Sequence, residues 1–184
     1  MKKIILLVVL FSFFVVGANS QLNLGLGSNL VAFRNFNSQS VNFELTGALY
    51  ADVSYLFNNK KGIKTGFSYQ RRNIEFNNEN YNSDFYQVPV LFTFQKKLKD
   101  LPFGLDFSLG YLLTMLNNTK NSGTQIKLSP IHGVMADISF FTMINEKSKM
   151  FLRFNISDDL YSKDDLLFGQ YCFGFGMNVN LFSK

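Results

Sequence analysis

Few side chains in this sequence could perform covalent chemistry. His132 is the single histidine among the 184 residues, and a hydrolase of the common type needs a serine that a histidine activates, with a carboxylate behind it. Ser129 lies three residues from His132 and so points to the opposite face of an alternating strand, while His132 shares its parity with Val134. The pattern favours an interfacial histidine over a catalytic one, so we expect no catalytic residues and no enzymatic activity.

Metal and redox chemistry also have little support. Carboxylates are the only metal ligands present in number, and two acidic pairs, Asp158-Asp159 and Asp164-Asp165, suit a hard cation such as Ca²⁺. They lack a glycine-bounded ligand pattern, so a solvated acidic loop is the favoured interpretation and a Ca²⁺ site the alternative. Cys172 has no neighbouring His or Lys to activate its thiol. We therefore expect no metal, no cofactor and a buried, inert cysteine.

The strands that would carry these residues are clearest at residues 167–182. Every second side chain there is apolar, and those between are small or polar. The apolar set is Tyr171, Phe173, Phe175, Met177, Val179 and Leu181. A period of two sustained this long is typical of a strand with one oily face and one polar face. Such a strand suits a closed barrel in lipid, with its outer face against hydrocarbon and its inner face against a polar lumen.

Seven further segments with this alternation precede it. The eight together span residues 22–32, 42–57, 63–76, 85–95, 102–116, 126–144, 150–157 and 167–182. The connections 58–62, 96–101 and 145–149 are short and contain lysine, whereas 34–41, 77–84, 117–125 and 158–167 are longer and rich in Asn, Ser and Asp. This asymmetry is typical of outer-membrane barrels. It predicts short turns and both termini in the periplasm, with the polar loops outside.

The alternative is a soluble eight-stranded barrel, with an apolar lumen and a polar exterior. The composition of the two faces distinguishes them, because one face is almost purely apolar and the other carries the charges. Those charges are Glu44, Asp52, Arg72, Asp106, Asp137 and Arg153. Arg or Lys on a lipid face costs about 2–4 kcal/mol near the midplane, whereas opposite charges in a small lumen can pair. We therefore predict an all-β fold, an eight-stranded antiparallel transmembrane β-barrel of the outer-membrane type.

We interpret the six charges as a structural network in the lumen. The alternative, a proton or ion path, is disfavoured because eight strands leave an interior just large enough for side chains to fill. Asp106, Asp137 and Arg153 have inward parity on three consecutive predicted strands. We therefore expect Arg153 to pair with at least one of the two acids.

The first twenty residues predict export. A basic start, Met1-Lys2-Lys3, precedes an apolar run at 4–16 and a small-x-small site at Ala18-Asn19-Ser20. This is the pattern of a secretory signal peptide cleaved before Gln21, with an apolar run too short to span a membrane as a helix. The predicted organisation is therefore a signal peptide at 1–20 and a barrel domain at 21–184. Removal of the peptide takes away Lys2 and Lys3 and lowers the formal net charge from +5 to +3. Because this charge is small and the chain is exported, we expect no nucleic-acid partner.

Three stretches carry a resemblance to a known family. They are Phe-Tyr-Gln-Val-Pro-Val-Leu-Phe at 85–92, Gly-Tyr-Leu-Leu at 110–113, and Leu-Arg-Phe-Asn at 152–155 with an acidic loop after it. The pattern resembles the PorT-like outer-membrane β-barrel family of Bacteroidetes. Pro89 lacks a donor for the strand ladder, so we expect it to mark a bend or bulge in the wall. The resemblance implies no catalytic residue, since most members have no assigned activity and the name-giving protein is an accessory of a secretion and gliding apparatus.

Two functional classes follow. The first is a non-enzymatic integral outer-membrane barrel with a structural or binding role through its outer loops. The second is an accessory subunit of an envelope secretion or gliding machine, and a lipid-modifying outer-membrane enzyme is a distant alternative. The expected partners are outer-membrane lipid, the barrel-assembly machinery during biogenesis, and other envelope proteins.

Overall fold

The computed structural model describes residues 20–35, 43–57, 60–77, 79–98, 101–121 and 124–181, without the side chains of residues 35, 43 and 44. The predicted signal peptide lies outside these residues, apart from Ser20. The strands are β1 (Gln21–Asn35), β2 (Phe43–Leu56), β3 (Lys61–Phe76), β4 (Glu79–Lys97), β5 (Phe103–Asn121), β6 (Thr124–Ile126), β7 (Ile131–Met143), β8 (Ser148–Ser162) and β9 (Phe168–Asn180). Within the described part of the chain, no helix is long and apolar enough to cross a membrane.

Eight of these strands close into an antiparallel barrel in the order β1-β2-β3-β4-β5-β7-β8-β9, and β9 pairs back onto β1. The short β6 pairs only with the far end of β5. The predicted all-β, eight-stranded antiparallel barrel is therefore confirmed. We call the end that holds Gln21, Asn180 and residues 144–147 the turn end, and the opposite end the loop end. Closure gives each long strand two hydrogen-bonded neighbours, so the wall of the barrel has no free edge.

The two faces of the wall differ as the alternation predicts. Apolar side chains point outward and are exposed, as with Leu26 at 67% and Phe175 at 63%. Charged and amide side chains of the opposite parity point inward and are buried, and Asp137 is 0% exposed. This is the reverse of a soluble barrel, in which the apolar face fills the interior. The soluble alternative is therefore excluded by the direction of the side chains.

At the loop end the strands continue beyond the part of their outer face that is apolar. β3 ends at Phe76, Asn77 has a positive φ of 52°, and β4 begins at Glu79, so the prediction of a loop at 77–84 is wrong and most of this segment is strand. β5 continues to Asn121 and β8 to Ser162, which likewise shortens the predicted loops at 117–125 and 158–167. The outward side chains there are polar and gave a loop signal. The inward ones, such as Ile74 and Tyr81, are buried and hold the extension in place.

The predicted strand at 126–144 is interrupted. β6 ends at Ile126, β7 begins at Ile131, and the four residues between belong to neither. Pro130 lies in this gap and cannot donate to a ladder. Leu128 is buried there and packs against Ile131 in the interior, which explains why an apolar residue in the gap resembled part of a strand.

Pro89 interrupts the hydrogen-bond ladder between β3 and β4 without shifting the register of the two strands. The pairs Thr65↔Val90 and Ser68↔Gln87 lie on either side of the gap and keep the same alignment. On its other side Pro89 stays paired with Leu112 of β5. The predicted irregularity is therefore present, but as a local gap and not as a bulge.

Candidate functional site in the barrel lumen

The middle of the lumen holds a cluster of buried charges. Arg153 of β8 lies between Asp137 of β7 and Asp52 of β2. Its Nε and Nη2 donate to Asp137 Oδ2, and its Nη1 lies 3.5 Å from Asp52 Oδ2. Lys64 of β3 adds a second cation, with Nζ 3.4 Å from Asp137 Oδ2. We call these four residues the central cluster. Two carboxylates face two cations, so the cluster is neutral, which burial of charge requires.

The wall made by β1 and β9 leaves room for this cluster. The Tyr50 side chain lies against the inner face of that wall, with its ring centre 4.6 Å from the Arg153 guanidinium carbon. Gly27 and Gly176 face each other across β1 and β9. A Cβ would lie 2.4 Å from the Tyr50 hydroxyl oxygen at Gly27 and 2.6 Å from it at Gly176. A Cβ at Gly27 would lie nearer still to the backbone oxygen of Phe175, and one at Gly176 to that of Leu26. Glycine is therefore required at both positions by the close approach of the β1 and β9 backbones as well as by Tyr50.

Asp106 belongs to a separate group nearer the turn end. Its Oδ1 accepts hydrogen bonds from Thr93 Oγ1 at 2.7 Å and from Ser108 Oγ at 3.2 Å. Lys149 is buried in the same region, with Nζ 4.6 Å from the centre of the Phe141 ring. Of the two acids predicted to pair with Arg153, Asp137 does so, and Asp106 takes part in none of the described ion pairs.

The loop end of the lumen is filled by apolar side chains. We call this set the plug, and it comprises Phe33, Ile74, Tyr81, Phe85, Leu128, Ile131, Leu166 and Phe168. Arg72 is buried within it, with its guanidinium carbon 3.5 Å from the Phe85 ring centre, 4.0 Å from that of Phe33 and 4.6 Å from that of Phe168. Cation–π attraction is strongest where water is excluded. The lumen is therefore not polar throughout, as the sequence predicted, but apolar at one end.

Little space remains between the plug and the central cluster. A cavity of about 30 Å³ is lined by Asn29, Tyr50, Asp52 and Arg153, among others. Asn29 Oδ1, the Tyr50 hydroxyl oxygen and Asp52 Oδ1 are buried without a hydrogen-bond partner. A space of this size holds about one or two waters, which could satisfy these oxygens. It is too small for a continuous aqueous path.

The loop-end extension carries a polar outer surface. Arg71 is exposed, and its Nε donates to Asn82 Oδ1 at 2.9 Å and lies 3.9 Å from Asp84 Oδ1. Asp84 also accepts from Asn118 Nδ2 at 2.8 Å. These contacts cross-link β3, β4 and β5 into a defined outer surface. On the inner face of β4, the Tyr81 hydroxyl donates to Glu79 Oε2 at 2.7 Å, and this hydrogen bond to a carboxylate raises the pKa of Tyr81.

The six charges proposed from the sequence thus fall into separate groups. Asp52, Asp137 and Arg153 are together, Asp106 and Arg72 are each elsewhere, and Glu44 lies in β2 with its side chain outside the described residues.

Two buried lysines were missed. Lys64 has the inward parity of its neighbours, but its pairing depends on register, which parity does not reveal. Lys149 lies in a segment that was predicted to be a turn, although it continues the parity of Phe151 and Arg153. This parity was the sequence signal that could have placed Lys149 inside the barrel.

His132 lies on the outside of the barrel. The Tyr111 hydroxyl oxygen and His132 Nδ1 form a hydrogen bond, and the ring centres of Tyr111 and Tyr161 are each 6.0 Å from that of His132. None of the hydrogen bonds found within the described residues joins His132 to a serine or a carboxylate. The arrangement is an aromatic cluster on the outer surface.

The acidic residues at the end of β8 and directly after it hold the loop end together. Asp164 Oδ2 accepts from the Ser129 amide at 2.5 Å, and Asp159 Oδ2 accepts from the Phe168 amide at 3.0 Å. Among the described residues, no group of three or more His, Cys, Asp or Glu side chains is placed to hold a metal ion. Cys172 is buried on the inner face against Val31.

The architecture is shared with known outer-membrane proteins. Neisserial surface protein A, NspA, matches with a TM-score of 0.70 at 7% identity, over 87% of this chain and 97% of that chain. OprG from Pseudomonas aeruginosa matches with a TM-score of 0.61 at 10% identity, over 91% and 98%. Ail, the attachment invasion locus protein of Yersinia pestis, was solved with the heparin analogue sucrose octasulfate. It matches with a TM-score of 0.57 at 13% identity, over 87% and 99%.

At these identities the likeness establishes the fold alone. No protein-family model matches the sequence, and no curated protein matches it either. The resemblance to the PorT-like family therefore stays a prediction.

Proposed function

We propose that this chain is a non-enzymatic integral protein of the outer membrane that acts through the surface at its loop end. The observation that carries the proposal is the inverted barrel, with apolar side chains outside and paired charges within. Soluble monomers rarely expose apolar patches larger than a few hundred Å². A continuous apolar wall around a closed barrel is stable only when lipid covers it. The likeness to the outer-membrane proteins NspA and OprG supports the same location.

The filled lumen argues against transport. The plug occupies the loop end, and the central cluster binds its own charges in the middle. Moving an ion along this axis would require breaking buried ion pairs and displacing three phenylalanine rings around Arg72. We therefore assign the interior a structural role. Any binding function is therefore assigned to the outer surface of the barrel.

The loop-end extension is the surface best suited to binding. It is built from paired strands, so its side chains are held by a rigid scaffold. The polar groups there, including Arg71, Asn82 and Asp84, lie beyond the apolar part of β3 and β4. In the proposed orientation both termini and the turn end face the periplasm. The loop end then faces outward, towards partners in the envelope or beyond it.

Neither alternative function has an observation that favours it. A role as an accessory subunit of an envelope machine rests on the PorT-like resemblance alone. A lipid-modifying enzyme would need His132 beside a serine, and its described partners are two tyrosines. A pull-down from mildly solubilised membranes separates the first two functions, because a subunit brings stable partners with it and an independent barrel does not.

The membrane location is tested by one pair of substitutions on the outer face of β3. Phe67→Arg places a cation within the apolar wall, where Phe67 is 46% exposed. Asn73→Arg places the same charge on the same strand, in the polar extension. We expect Phe67→Arg to reduce the yield of folded, heat-modifiable barrel in lipid vesicles by an amount equivalent to about 2–4 kcal/mol, and Asn73→Arg to have little effect. Equal effects of the two substitutions would contradict the proposal.

A further inference from the structure

The turn end of the lumen opens into a recess lined with cationic side chains. Lys97 comes from β4, Lys147 from the turn before β8, and Lys149 from β8 itself. Gln95 of β4 lines the same recess, and Glu146 is the one acidic side chain among the described residues that line it. We call this recess the turn-end mouth. Three lysines around one opening create a local excess of positive charge.

The donors in the mouth lack acceptors among the described residues. None of the described ion pairs includes Lys97, Lys147 or Lys149. Lys149 is only 8% exposed, and the aromatic face of Phe141 lies beside its ammonium group. Gln95 is 3% exposed, and its Nε2 has no hydrogen-bond partner. A buried amide donor without a partner costs free energy unless an acceptor reaches it.

The acids in the neighbourhood remove only part of this excess. Asp106 and Asp52 attract Lys149 from deeper in the lumen, while Lys64 and Lys97 repel it. Asp52 is paired with Arg153. Asp106 accepts hydrogen bonds from the neutral hydroxyls of Thr93 and Ser108 and keeps its charge, so it offsets one of the three lysines. Glu146 is exposed at the rim. The lysines and the Gln95 amide therefore face a space in which an acceptor with negative charge would be stabilised.

We propose that the turn-end mouth binds a small oxyanion of the phosphate class. Gln95 Nε2 and Lys149 Nζ would donate from the inner side, and Lys97 and Lys147 from the rim. Hydrogen bonds to charged acceptors are the strong ones, and ammonium groups bind phosphate as point charges. An opening with an excess of positive charge also raises the local concentration of anions. The site is independent of the loop-end surface, so it adds a second binding function at the other end of the barrel.

The test uses the mature barrel folded in a non-ionic detergent, in a buffer free of phosphate. Inorganic phosphate is titrated in by calorimetry, and saturable binding of one phosphate per barrel is expected. Gln95→Glu places a carboxylate in the recess and should abolish phosphate binding without loss of folding, since the new acid can pair with Lys149. Lys149→Met should weaken binding by about tenfold or more, as expected for one charge-assisted hydrogen bond.

Lys96→Met is the matched control. Lys96 is exposed on β4, the strand that carries Gln95 and Lys97, and it does not line the recess. Its substitution removes one positive charge, as Lys149→Met does. Binding that survives Lys96→Met and is lost in Gln95→Glu supports the proposal. Dihexanoyl-phosphatidylglycerol below its micelle concentration serves as a competitor: displacement of phosphate identifies a lipid source, and no displacement identifies a soluble one. Absence of saturable binding, equal weakening by Lys96→Met and Lys149→Met, or binding that persists in Gln95→Glu would overturn it.

Discussion

The central cluster makes a quantitative prediction about Arg153→Met. Arg153 is the cation shared by Asp137 and Asp52, and all three side chains are at most 4% exposed. After the substitution Asp137 keeps Lys64 at 3.4 Å, but Asp52 loses the one cation it pairs with among the described residues. Removing one partner of a buried ion pair typically destabilises by about 3–5 kcal/mol, because an uncompensated charge remains. We expect the free energy of unfolding to fall by that amount.

A double-mutant cycle separates pairing from simple loss of packing. Asp137→Asn removes the carboxylate that accepts from Arg153 Nε and Nη2. If the two side chains are coupled, the double substitution costs less than the sum of the single ones, with a coupling of about 2 kcal/mol. Unfolding is followed in urea with the barrel in lipid vesicles, by heat-modifiable gel migration and by circular dichroism. The two transitions must coincide before a free energy is derived.

The matched control lies on the outer surface of the loop end. Arg71 is 67% exposed and its Nε is 3.9 Å from Asp84, so Arg71→Met should cost no more than about 1 kcal/mol. A cost for Arg153→Met as small as that of the control would refute the reasoning. So would additive losses in the cycle, because they would mean that the lumen charges are hydrated independently and that water runs through the barrel.

Two further predictions concern the ends of the barrel. A cysteine at Asn121 in a Cys172→Ser background should react with an impermeant maleimide on whole cells, and one at Lys97 should not; the reverse labelling would invert the proposed orientation. Phe168→Ala should destabilise the plug by about 3–5 kcal/mol in urea unfolding, since the ring is 0% exposed. Phe173→Ala on the outer face of the same strand should cost much less, and equal costs would mean that the plug does not stabilise the fold.

The sequence predicted the barrel because its main signal, alternation of apolar and polar residues, depends only on neighbours along one strand. Parity alone placed Asp137 and Arg153 inside and His132 outside, and these positions are confirmed by burial and contacts. The alternation does not show which residues pair across neighbouring strands. A shift of one residue in register changes every partner, so Lys64 could be placed inside but not beside Asp137.

The ends of the strands were predicted wrongly for a different physical reason. Beyond the apolar wall the outward positions are polar, as at Arg71, Asn82 and Asp84, and Asn and Asp are depleted in ordinary strands. Their backbones still pair, because the inward positions Ile74 and Tyr81 pack into the plug. The plug itself was overlooked because aromatic residues with inward parity, such as Phe85, lie next to outward aromatic residues. Composition cannot separate the two sets there.

The uneven distribution of residue size around the wall explains why the charges meet where they do. On their inner faces β1 and β9 carry glycine at Gly27, Gly174 and Gly176, so this part of the wall contributes little side-chain volume to the lumen. Long side chains from the other strands extend into this space, and Tyr50 with Arg153 above its ring occupies it. The interior of an eight-stranded barrel is just wide enough for side chains to fill. The glycines of the first and last strands therefore leave the space that the Tyr50 ring occupies, and Arg153, which lies over that ring, pairs with Asp137 and Asp52 from there.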